Sequence, residues 1–165
     1  MSDTPNGLTT YDLQQELAEM LRTLFSETRL HHPTGSAMPP RIFVQELPVP
    51  TYDADTDQSD VPYILVRLSG GEIDDWESNS GLEKVHVELY LGVYNDRDDR
   101  SGHVELLNMI QRIKNHFGIN RYIKNFYVLS PCKWVLDEED RYPYYFGAVS
   151  LVFSAPRTIK EDPFA

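Results

Sequence analysis

From Lys84 to Tyr94 apolar and polar side chains alternate without a break. Val85, Val87, Leu89, Leu91 and Val93 fall on one side, and His86, Glu88, Tyr90, Gly92 and Tyr94 on the other. Five alternations are the period of a strand with one buried face, and no helix fits them. Such a strand needs an apolar layer to cover one face, while the other meets water or a partner. Any architecture for this chain therefore has to supply a cover for Val85–Val93.

Two amphipathic helices supply it. Leu13, Leu17, Met20, Leu21, Leu24 and Phe25 recur at helical spacing behind a cap at Thr9 or Thr10, and Gln14, Gln15, Glu19 and Arg22 fall elsewhere. This helix is expected to end between Thr28 and His31, ahead of Pro33 and Gly35, with His31–Ser36 as a loop. The second runs from Ser101 or Gly102 to Phe117 on the stripe Leu106, Leu107, Ile110, Ile113 and Phe117, with Gly118 placed as a left-handed cap. Further strands read as Arg41–Leu47, Tyr63–Leu68, Tyr127–Leu136 with an interruption at Pro131, and Tyr144–Phe153. Residues 48–62, with Asp53, Asp55, Asp57 and Asp60 between prolines, read as a long acidic loop. Strands in runs, without repeated crossover helices, predict an α+β fold: a mostly antiparallel sheet with two amphipathic helices packed on one face. The opposite face is expected to be rich in Tyr and charge. The 165 residues divide into a flexible N-terminus, 1–9, a single domain, 10–155, and a C-terminal extension, 156–165.

The search for chemistry returns no assignment. Asp53-x-Asp55-x-Asp57 begins like a calcium loop, but the sixth and twelfth positions are Gln58 and Ile64, where Gly and Glu are needed. His31 and His32 are adjacent and diverge, and His86, His103 and His116 lack ligand spacing. His86 and Glu88 share a strand face without a third group to complete a site. Cys132 stands beside Lys133, which can lower a thiol pKa, but a small apolar role in the strand is commoner. No phosphate loop, dinucleotide fingerprint or nucleophile elbow occurs. No catalytic, cofactor-binding or metal residue is assigned, and no cofactor is expected. No apolar run reaches the length of a membrane span, and residues 1–5 do not resemble a secretory leader.

Charge is the quantity that stands out. With 15 Lys and Arg against 26 Asp and Glu, the net charge is −11, which argues against broad nucleic-acid binding. Yet Leu106–Leu136 holds no acid at all, while Arg112, Lys114, Arg121, Lys124 and Lys133 fall within it. Acids crowd Asp53–Asp60 and Asp137–Asp140. Either this is a solvated face, or the two kinds of patch meet between subunits and set their register. The candidate interface residues are Arg112, Lys114, Arg121 and Lys124, with Asp53, Asp55 and Asp57 opposite them. Arg112 and Lys114 lie on the side of the helix away from its apolar stripe. Tyr90 and Tyr94 are candidate apolar anchors, since aromatic side chains dominate interface energetics.

Three segments carry a family resemblance: Val85–Asn95, Gly102–Ile113 beyond the charged loop, and Arg141–Val149 with its Tyr-Pro-Tyr-Tyr-Phe-Gly run, Trp134 preceding the last. Over about Thr10 to Ala155 the chain resembles the tail terminator, or tail completion, proteins of long-tailed bacteriophages. The resemblance implies a structural virion protein, not an enzyme. It implies a hexameric ring that caps the head-proximal end of the tail tube, stops its polymerisation and joins it to neck or head-completion proteins. DNA would pass through the ring without sequence-specific binding, no membrane would be involved, and the protein would assemble in the host cytoplasm. The long 48–62 loop and the 156–165 extension depart from the family pattern. Another neck component, such as a head-completion or connector protein, and a small ligand-binding or hydrolytic α+β domain stay open as alternatives.

Overall fold

The computed structural model describes residues 10–49, 60–77 and 82–156. Helix α1, Thr10–Leu24, leads into a short hairpin, β1 (Leu30–His31) and β2 (Ala37–Met38). Strands β3 (Arg41–Val44), β4 (Tyr63–Glu72) and β5 (Leu82–Tyr94) precede helix α2, Gly102–Ile119. Strands β6 (Tyr122–Ile123), β7 (Phe126–Leu136) and β8 (Tyr144–Pro156) close the chain. The main sheet has the order β3-β4-β5-β8-β7-β6, antiparallel except for the parallel β3–β4 pair. The expected α+β class is what the chain adopts.

The alternation in β5 does what its period requires. Val85, Val87, Leu89, Leu91 and Val93 are all buried, and Val149, Leu151 and Phe153 of β8 lie on the same face. Leu13, Leu17 and Leu21 of α1 and Leu106, Ile110 and Ile113 of α2 complete one core against them. Helix α1 touches β3 and β4 at one side and β6 at the other, so the sheet curls around its helices.

Several local expectations are corrected. Helix α1 stops at Leu24, short of the expected end: the Ser26 N–H bonds the Thr23 carbonyl three residues back at 3.3 Å, and the Ser26 hydroxyl donates to the same carbonyl at 3.0 Å. His31 is not in a loop but pairs with Ala37 across the small hairpin. Gln14 is buried, not solvent-facing: its amide donates to the Val66 carbonyl and to Gln45 Oε1, each at 3.0 Å. Strand β3 ends at Val44 instead of Leu47, since Gln45 turns to a φ of 68°. Gly118 lies inside α2 and caps nothing; the helix ends at Asn120 in extended backbone. Strand β4 runs through Gly70 with a bulge, beyond the expected end at Leu68.

The outer face of the sheet carries the expected Tyr and charge, and part of it is also covered. One row across it is charged and polar as expected: Arg67, Glu88, Ser150 and Lys133. The neighbouring row is apolar: Phe43, Leu65, Tyr90, Ala148 and Val135. Around it Val61, Tyr63 and Leu65 are buried in a second cluster with Phe43, Leu47, Tyr94, Tyr144 and Phe146. The run Tyr63-Ile64-Leu65-Val66 is apolar on both faces because both are covered. Gly92 belongs to this packing: a Cβ there would lie 2.4 Å from a carbon of the Tyr63 ring.

Candidate subunit interface

The acid-free stretch folds as α2, β6 and β7. Between Leu129 and Lys133 strand β7 advances four residues while β8 advances two, from Val152 to Ser150. This bulge, at the expected interruption by Pro131, lies beside a groove of about 340 Å³ between β7 and α2. Its walls include Lys114, Phe117, Arg121, Cys132, Trp134 and Leu151, and among the described residues no carboxylate lines it. Beyond Val128, whose N–H donates to the Arg121 carbonyl at 2.8 Å, no described strand pairs with the outer edge of β7. Trp134 is 46% exposed and Val135 59%, unusual for large apolar side chains in a sheet.

The predicted cations divide into two groups. Arg112 is not free: it donates to Thr28 Oγ1 and, at 3.1 Å, to the Leu24 carbonyl, and lies over the Phe25 ring at 5.2 Å. It thereby satisfies the C-terminal carbonyl end of α1 from α2. Lys124 is paired too, with Glu16 at 3.1 Å. Lys114 sits over the Trp134 ring at 5.7 Å and meets no carboxylate among the described residues, and neither do Arg121 and Lys133. Lys133 shares the outer face with Ser150, so it flanks the β7 edge from the side opposite Trp134. Burial raises the Cys132 thiol pKa, with Lys114 pulling it down; the expected effect of Lys133 is absent. Cys132 is an exposed residue whose side chain lines the groove, where its thiol is partly desolvated.

The two acidic segments also part company. Asp53, Asp55 and Asp57 lie outside the described residues, so the structure does not bring them together with any cation. Three of the four acids of Asp137–Asp140 are paired within the chain. Arg141 binds Asp137 at 2.6 Å and Glu139 at 2.7 Å, and Arg100 binds Asp140. The Glu139 N–H and then Arg141 hold the Asp137 carboxyl below its usual range, and the Tyr142 N–H and Arg100 do the same for Asp140. These pairs frame a cleft of about 270 Å³ at the start of α2, beside His103 and Tyr145. The Arg100 guanidinium also lies over the Tyr142 ring at 5.2 Å, so the arrangement fastens the β7–β8 turn.

The aromatic candidates differ likewise. Tyr90 is exposed in the apolar row of the outer face. Tyr94 is half-buried, edge-on to Tyr144 at 5.5 Å, and acts inside the second cluster. Of the exposed residues Trp134 and Val135, the first enters the sequence analysis only within the family resemblance and the second not at all; the signal in the sequence is the Pro131 interruption just before them. No protein family and no curated protein matches this chain.

Proposed function

We propose that this chain is a non-enzymatic ring component that caps the head-proximal end of a bacteriophage tail tube and joins it to the neck. The observation that carries the reading is the separation of charge across the sheet. Cations without carboxylate partners stand at the β7 side. The chain between β3 and β4 has acids and no Lys or Arg from Glu46 to Val66, and is anchored at the far side. Two unlike patches on separate parts of one subunit favour heterologous, head-to-tail contacts, which close into rings when the rotation permits. The resemblance of Val85–Asn95, Gly102–Ile113 and Arg141–Val149 to tail terminators gives such a ring its place and its six-fold count. A net charge of −11 suits a bore that DNA must pass without sticking.

The test is sedimentation and native mass for the oligomer, followed by addition of the protein to a polymerising tail tube protein. A six-membered ring that halts tube growth is expected. A protein that stays monomeric at every concentration and leaves tube length unchanged defeats the reading. A ring that leaves tube growth unchanged indicates a head-completion or connector protein instead.

A further inference from the structure

We infer that the groove between α2 and β7 seats the acidic segment Tyr52–Asp57 of a second copy of this chain. The inference rests on the ring reading for the direction of the contact, and it names the surfaces that make it. Among the described residues the groove has charge of one sign: Lys114 and Arg121 line it, no carboxylate does, and Lys133 flanks the open edge of β7. An occupant must therefore be acidic and narrow enough to lie along a strand. In extended chain Asp53, Asp55 and Asp57 share one face, about 6–7 Å apart, while Tyr52, Ala54 and Thr56 share the other. Alternate carboxylates can thus reach the Lys114 and Arg121 wall while the backbone follows the β7 edge, the strand-addition mode of peptide recognition. Pro131 and Lys133 blunt that edge against indiscriminate pairing, and Lys133 attracts only an acidic strand.

Three of the rival acids are engaged within the chain, Asp137 and Glu139 by Arg141 and Asp140 by Arg100. The segment of the same chain starts from the other face of the sheet. Its ends are held by β3 and β4, four and three strands away from β7, and the buried Val61–Tyr63–Leu65 cluster beside it lies on the face opposite α2.

Two full-length variants test this. One carries Lys114→Glu with Arg121→Glu, the other Asp53→Lys, Asp55→Lys and Asp57→Lys. Each alone is expected to raise the dissociation constant of the oligomer about tenfold or more at low salt. Mixed, they should assemble again, because each groove then meets a segment of opposite sign. Recovery on mixing also shows that both variants are folded. Assembly of either variant alone at wild-type strength overturns the inference, as does failure of the mixture to recover. If the wild type itself is monomeric, the ring reading falls and a second measurement decides the groove. In the Trp76→Phe protein a synthetic peptide of residues 49–60 should shift Trp134 emission saturably. The Lys114→Glu, Arg121→Glu pair should abolish that shift. Its absence in the Trp76→Phe protein overturns the inference.

Discussion

Arg112 illustrates how one side chain changes meaning once its surroundings are fixed. In sequence it is a cation on the polar side of a helix; in the fold it closes the C-terminal end of the other helix. Arg112→Ala is expected to lower stability by about 1 kcal/mol, through a lost carbonyl cap and lost contact with Phe25, read as a drop in urea midpoint. Arg112 therefore does not belong in a test of assembly. Glu105 behaves differently. One carboxylate oxygen lies 3.8 Å from His31 Nε2 and the other is buried without a partner. Burial raises its pKa above the ordinary 4.5, against the pull of His31 and Arg97. The folded chain then holds this proton more tightly than the unfolded chain. Its stabilising effect is full below pH 4.5 and is lost as the pH rises through the folded value. Glu105→Gln should flatten the fall in stability across that window, in melting temperatures taken at stepped pH. None of this is legible in the sequence, because partners more than eighty positions apart, such as Arg112 and Leu24, carry no local signal.

Among elements, legibility follows length and period. Strand β5 and helix α2 are plain in the sequence because each repeats its pattern many times on one covered face. Leu89 sits at the centre of that cover, fully buried, and Leu89→Ala should cost about 2–5 kcal/mol by denaturant unfolding. A cost near zero would mean that the core closes elsewhere. The two-residue strands β1 and β2 leave too few positions for any period, so the hairpin escapes a reading by alternation. In β4 an unbroken apolar run hides which residue faces which layer, and with it the second cluster on the outer face. The candidate interface residues are half legible. A deficit of acids over thirty positions marks α2, β6 and β7. It cannot separate Lys114 and Arg121, which meet no carboxylate, from Arg112 and Lys124, which the monomer already uses.

At the scale of the whole molecule, the parallel β3–β4 pair gives the acidic segment a second meaning. Neighbouring parallel strands cannot be joined by a hairpin; the chain must return to the starting end of the sheet. Residues 45–62 are that return path, not an insertion placed on a finished fold. Everything before them, α1, the small hairpin and β3, is covalently linked to the rest of the domain through this one connection. The ladder from Arg41↔Tyr63 to Val44↔Val66 and the burial of Leu13, Leu17 and Leu21 also hold it there without covalent help. The protein is thus a natural split pair. A protease site engineered at Thr56–Asp57 should yield two fragments that co-elute as one particle and separate only in denaturant. Expressed apart, the larger fragment lacks a wall of its core and should recover solubility when the smaller one is supplied.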